Sequence, residues 1–332
     1  MSESIRIDNN ECIFDPASDG LARYQATGPK ELREKLSQVY GIESRKILTT
    51  RGAEEALLLA IQAFAPRTSP ENEVIISPPD FDYFQVLLAR LGAKAVSVPR
   101  QFVRNGKDAK FHIDGPAILN AISDRTKIVY LVNPNNPTPD FATTDEISPI
   151  SSKLGDRGIL LIDEAYLEFT HQSSMATLIE KFPNIVVART LSKAWGAAAL
   201  RVGALIGRPE HLEKARAFMQ AHPFSRPTLD AAIETLAHPE IVQRRTLDLE
   251  RRKKRFVEEL QALEICEWVS HGAPPFALAS FRFENPGEFL AQEGVLTRHG
   301  FKDARLSRAV RFGIGTDDEI DRVLKTLRTR NK

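Results

Sequence analysis

The sequence predicts an α/β protein of two lobes, the larger built on a mostly parallel sheet and the smaller of α+β type. Three observations predict it. Short apolar runs at Val74–Ile76, Ala95–Val98, Ile128–Val132, Ile159–Ile162, Ile185–Ala188 and Ala204–Ile206 alternate with helical patterns. Such runs suit strands buried on both faces. After about Gln220 the pattern changes to a long charged helix and a few separated strands. The chain, at 332 residues, is also long for a single hydrophobic core.

In chain order, Pro29–Tyr40 reads as a helix with Leu32, Leu36, Val39 and Tyr40 on one face, stopped by Gly41. A second helix opens at Arg51-Gly52-Ala53 and runs to about Ala65. The six apolar runs follow as strands. In the second part, Pro239–Leu263 reads as one long helix, and Phe276–Phe283, Val295–Arg298 and Val310–Ile314 as strands. The lobes are therefore drawn as 30–220 for the larger one, and 1–29 with 221–332 for the smaller. In open parallel sheets, ligands collect beyond the carboxyl ends of the strands. The polar motifs of this chain fall there.

Lys plus Arg number 45 and Asp plus Glu 44, a net charge of +1. This balance gives no field to steer the molecule toward nucleic acid or an anionic membrane. The basic stretch Arg244–Arg255 is broken by Asp248 and Glu250 and reads as a solvated helix face. Cys12 and Cys266 are in no metal-like spacing, no metal site is expected, and reduced thiols are the plain reading. No apolar run approaches the ~20 residues of a membrane span, and Met1–Arg6 lacks the apolar stretch of a signal peptide. A cytoplasmic protein is expected.

Four segments carry chemistry. Asp163-Glu164-Ala165-Tyr166 follows the strand ending at Ile162. A carboxylate there can hold a cationic ring nitrogen, and a tyrosine can donate to a phenolate-type oxygen. Thr190-Leu191-Ser192-Lys193 follows the next strand, and its lysine can form an imine with an aldehyde. Arg201 comes eight residues later, across the small residues Gly196–Ala199. Asn133-Pro134-Asn135-Asn136-Pro137-Thr138 fixes a turn and presents amides. Arg51-Gly52-Ala53-Glu54-Glu55 opens a helix whose first N–H groups suit a phosphate. Taken singly, these are equally a capping Asp with a packed Tyr, a surface lysine, an Asn-Pro turn and a plain helix start.

Their order and spacing decide otherwise. Together they resemble the pyridoxal-phosphate (PLP) enzymes of the aspartate-aminotransferase fold, fold type I, and most closely the histidinol-phosphate aminotransferase family. The likeness runs from Arg6-Ile7-Asp8-Asn9-Asn10-Glu11 to Arg311-Phe312-Gly313-Ile314-Gly315-Thr316. It implies that Lys193 is the imine lysine, that Asp163 pairs with the pyridine nitrogen, and that Tyr166 and Asn136 meet the phenolic oxygen. Ala53, Glu54, Thr190, Ser192 and Arg201 fall at the cofactor phosphate, and Phe81 is the ring stacked on the cofactor. Tyr24 resembles a tyrosine that reaches the phosphate from a neighbouring subunit, which implies a homodimer. Asn10, Arg298 and Arg311 fall at substrate positions. Departures from the family pattern are Pro139 where a glycine is usual, Phe81 for a tyrosine, Cys12-Ile13-Phe14 in place of a tyrosine-bearing turn, and Gln25–Gly28 after Tyr24. They bear on the substrate rather than on the cofactor.

The resemblance implies transamination of histidinol phosphate with 2-oxoglutarate, giving imidazole-acetol phosphate and glutamate in histidine biosynthesis. Partners would be the amino donor and the 2-oxo acid. Another specialised or aromatic aminotransferase, a decarboxylase like those acting on threonine phosphate, or a non-enzymatic PLP-fold regulator stand as alternatives.

Overall fold

A computed structural model of the chain describes residues 21, 22, 24, 25, 29–66, 69 and 71–330. Its strands are β1 (Ile47–Thr50), β2 (Glu73–Ile76), β3 (Lys94–Ser97), β4 (Gln101–Asn105), β5 (Asp108–His112), β6 (Thr126–Val132), β7 (Ile159–Asp163), β8 (Ile185–Thr190), β9 (Gly203–Ile206), β10 (Cys266–His271), β11 (Phe276–Phe281) and β12 (Ala309–Gly313). The α-helices are α1 (Lys30–Tyr40), α2 (Ala53–Phe64), α3 (Asp82–Leu91), α4 (Gly115–Ala121), α5 (Thr144–Leu154), α6 (Pro209–Arg216), α7 (Arg226–Leu236), α8 (Pro239–Ala262), α9 (Pro286–Gln292) and α10 (Asp317–Arg328).

The first sheet has the order β1-β9-β8-β7-β6-β2-β3. Strands β8, β7, β6, β2 and β3 run parallel, and β9 runs antiparallel to both β8 and β1. The alternation of side chains explains why the runs are apolar throughout. In β7, Leu160 and Ile162 join the core under α1, α5 and α7, whereas Ile159 and Leu161 join the opposite core under α2 and α3. A strand buried on both faces has no position left for a polar residue until it ends. Polar residues therefore gather toward the carboxyl ends of β6, β7 and β8, at Asn133, Asp163 and Arg189-Thr190.

The second sheet has the order β12-β11-β10-β5-β4. Its core gathers Phe256 and Leu260 of α8, Leu290 of α9 and Leu324 of α10 over β10–β12. Two features of it escape the sequence reading. The hairpin β4–β5, from within 30–220, joins this sheet through β10. It is an edge hairpin whose side chains are mostly exposed, so it carries no apolar run. Conversely Leu229, Ala232 and Leu236 of α7 and Val242 of α8 pack with the first sheet's core, although they lie beyond residue 220. The strand expected at Val295–Arg298 does not form. Gly294 takes φ 74° and Leu296 is exposed, so pairing is limited to one bridge between Arg298 and Arg311.

Among the described residues no helix is long and apolar enough to cross a membrane. Cys266 is a free, buried thiol, and burial pushes it up to about 11.

Candidate active site

A cleft of about 280 Å³ opens at the carboxyl ends of β6, β7 and β8. Asp163, the last residue of β7, forms its floor and is almost wholly buried. Its Oδ1 accepts the Ala165 N–H at 3.0 Å and its Oδ2 accepts the Tyr130 hydroxyl at 3.2 Å. Burial pushes the carboxyl up to about 6, against these two hydrogen bonds and the charge of Lys193. Among the described residues no cation touches this carboxyl, and a buried acid is a costly arrangement unless a positive group completes it.

Glu164, its chain neighbour, points the other way. It accepts from Ser174 Oγ and the Met175 N–H, both at 2.6 Å, and pairs with Arg189 at 3.5 Å. The two acids of the Asp-Glu pair thus separate by strand alternation, one toward the cleft and one into a buried ion cluster behind the sheet.

Lys193 follows β8 and places its ammonium 5.5 Å from the centre of the Tyr166 ring. Its pKa is lowered by burial and by the charge of Arg311. Tyr166 is held edge-on against Phe276 of β11, with ring centres 5.4 Å apart. Burial pushes its hydroxyl up, and Arg311 opposes that shift.

The other end of the cleft suits an anion. Helix α2 begins after Gly52 with no side-chain cap, whereas α5 and α10 each carry a complete capping box. Its first N–H groups are available to a ligand at the positive end of the helix. Beside it, Ser192 Oγ accepts from Thr190 Oγ1 at 3.0 Å and from Arg201 Nη1 at 3.4 Å. Arg201 sits at φ 52°, an uncommon conformation for a residue with a side chain. Gly52 makes room for it: a Cβ there would stand 3.0 Å from Arg201 Nη2.

At the mouth, Arg311 of β12 donates through Nη1 to Asn136 Oδ1 and lies 5.2 Å from the centre of the Phe276 ring. Arg298 pairs with Asp82 at the start of α3 and is joined to Arg311 through the backbone, Arg311 N to Arg298 O at 2.8 Å. Phe81, which precedes α3, lines the wall between them.

Helix start, paired hydroxyls and arginine at one end, an unmatched buried acid at the floor and a lysine between them fit a phosphate-bearing pyridine aldehyde. The model for the family described as aminotransferase class I and II matches residues 7–327. The chain belongs to that family. It is similar to a histidinol-phosphate aminotransferase of Aeromonas hydrophila subsp. hydrophila, with 31% identity over 93% of this chain and 85% of that one. The histidinol-phosphate aminotransferase of Clostridium acetobutylicum shares its fold with a TM-score of 0.84, at 20% identity over 94% and 92% of the chains. That of Sinorhizobium meliloti, solved in complex with pyridoxal-5'-phosphate, does so with a TM-score of 0.81, at 21% identity over 95% and 85%. The chain is accordingly a PLP-dependent aminotransferase of fold type I.

Of the residues singled out in the sequence, Ala53, Glu54, Phe81, Asn136, Asp163, Tyr166, Thr190, Ser192, Lys193, Arg201, Arg298 and Arg311 line this one cleft. Tyr24 does not: it is exposed and stacks on His222, ring centres 4.7 Å apart. Asn10 and Cys12 lie outside the described residues. The sequence reading missed Asp80, Asp82, Lys302 and Asp303 at the mouth and Tyr130 behind the floor. The first four sit in loops or at a helix start without periodicity. Tyr130 hides inside an apolar strand, and its signal is the parallel register that pairs Val132 with Asp163.

Proposed function

We propose that this aminotransferase takes histidinol phosphate as amino donor and 2-oxoglutarate as acceptor. The observation that carries the proposal is the pair Arg298 and Arg311, backbone partners that both face the cleft mouth. Two guanidinium forks suit a phosphate dianion far better than one. The relatives named as histidinol-phosphate aminotransferases support the same substrate.

In this reading Arg201, Ser192, Thr190 and the N–H groups of Ala53 and Glu54 anchor the cofactor phosphate. Asp163 holds the pyridine nitrogen and keeps a proton on it. Tyr166 and Asn136 hold the phenolic oxygen, and Phe81 covers the ring. When bound, PLP supplies an electron sink for the bond broken at the donor Cα. Lys193 Nζ carries the cofactor at rest. As a free amine, Lys193 Nζ would take the proton from the donor Cα, a task its lowered pKa suits. Arg311 binds the acidic group of either substrate, and Arg298 adds the second fork for phosphate.

The likeness of Tyr24 to a tyrosine that reaches a neighbour's phosphate site, its exposure in this chain and the prevalence of two-fold dimers support a homodimer. The free thiol of Cys266 supports the cytoplasm as the compartment. For the lobes we keep 30–220 against 1–29 with 221–332, exchanging the hairpin β4–β5 and helix α7 between them.

A panel of donors tests the substrate. Histidinol phosphate, histidinol, phenylalanine and threonine phosphate are each added to holoenzyme, and conversion of the cofactor to its amine form is followed with release of keto acid or carbon dioxide. Fast conversion with histidinol phosphate and slow conversion with histidinol is expected. A preference for a neutral donor, or release of carbon dioxide, would contradict the proposal.

A further inference from the structure

Tyr130 lies in β6 opposite Leu161 of β7, two residues before Val132 meets Asp163. Ile128, Tyr130 and Val132 point to the face of the sheet that also receives Ile159 and Leu161, among the side chains of α2 and α3. Tyr130 is fully buried there and stacks on Phe84, ring centres 3.6 Å apart and planes 16° from parallel. A phenylalanine would fill this apolar space equally well. A buried hydroxyl costs free energy unless it finds a partner. The partner here is Asp163 Oδ2.

We propose that Tyr130 is a positioning residue for the reaction: its hydroxyl fixes the Asp163 carboxylate and favours its charged form. With the Ala165 N–H on Oδ1 and the Tyr130 hydroxyl on Oδ2, each oxygen of the acid is held by its own donor. The carboxylate plane is then set before any ligand arrives. Tyr130 does not line the cleft, so it acts on the cofactor through Asp163 alone. The inference rests on the reading of Asp163 as the acid that meets the pyridine nitrogen.

The test compares wild type, Tyr130→Phe, Phe84→Leu and Asp163→Ala. For Tyr130→Phe, the Kd of PLP rises about tenfold, equivalent to about 1.4 kcal/mol. Turnover of the holoenzyme falls about tenfold, with KM for the donor within about twofold. The pH midpoint for PLP binding to the apoenzyme moves upward, because an acid that loses a donor to its charged form becomes weaker. Phe84→Leu, which disturbs the stack and keeps the hydroxyl, lowers the melting temperature and leaves affinity and pH midpoint unchanged. The proposal is overturned if Tyr130→Phe leaves the Kd of PLP and the turnover within about twofold of wild type and the pH midpoint where it was. It is equally overturned if Phe84→Leu reproduces the losses, or if Tyr130→Phe does not fold, since the hydroxyl would then serve the core. Asp163→Ala separates the two levels. Unchanged PLP affinity in that variant would remove the reading of Asp163 itself, whereas its loss beside a normal Tyr130→Phe would remove only the role of Tyr130.

Discussion

Arg311, on the edge strand of the second sheet, donates to the amide oxygen of Asn136, in the loop after β6 of the first sheet. One hydrogen bond thus ties the residue proposed for the substrate's acidic group to the residue proposed for the cofactor's phenolic oxygen. With its oxygen taken, the Asn136 side chain has its NH2 left to donate.

Arg311→Lys keeps the charge but loses the fork. We expect kcat/KM to fall roughly ten- to a hundred-fold for donor and acceptor alike, the cost of about 1.5–3 kcal/mol for a charge-assisted hydrogen bond. Steady-state kinetics with both substrates checks this. A loss confined to one substrate would break the shared role.

Arg298→Ala should cut kcat/KM roughly ten- to a hundred-fold for histidinol phosphate and little for an uncharged aromatic donor. Arg298 is half-exposed and already paired with Asp82. Asp82→Ala removes that competitor, so it should leave the phosphorylated donor's KM unchanged or lower. Rates for the two donors across both variants decide the matter. An equal effect on both donors would mean that Arg298 does not read the phosphate.

The Asp163 carboxyl, pushed up to about 6 from 3.8 mainly by burial, sets a pH dependence. Through that window the unfolded chain gives up this proton before the folded apoenzyme does, so the apoenzyme loses stability as pH rises. In the proposed role of Asp163, the pyridine nitrogen of bound PLP would give the carboxylate a cationic partner. The rise in melting temperature on adding PLP should therefore grow from about pH 5 to about pH 7, and should be flat in Asp163→Asn. Calorimetry of apo and holo forms reads it. An increment that shrinks over this range would contradict the assignment.

Tyr24→Phe should weaken PLP binding if its hydroxyl completes a neighbour's site, and dilution of wild type to monomer should do the same. Sedimentation with cofactor fluorescence measures both. A fully active monomer would refute the shared site.

Most of the first lobe is legible because burial on both faces leaves an apolar run within each of β2, β6, β7, β8 and β9. The candidate site is legible for the related reason that polar residues follow those runs at Asn133, Asp163 and Arg189-Thr190. The hairpin β4–β5 is not, since an exposed edge needs no apolar run. Val295–Arg298 misleads because Val295 is buried by α9 and the second sheet's core rather than by strand pairing. Tyr130 is invisible as a polar residue because its ring satisfies the strand pattern while its hydroxyl serves Asp163.

The most direct test is reduction of the holoenzyme with borohydride, followed by proteolysis and mass mapping of the pyridoxyl group. The modification should lie on Lys193 alone, and Lys193→Ala should remain folded, bind PLP reversibly and take up no label. Label on another lysine, or an unlabelled wild-type chain that still transaminates, would contradict the assignment of Lys193 and the site built around it.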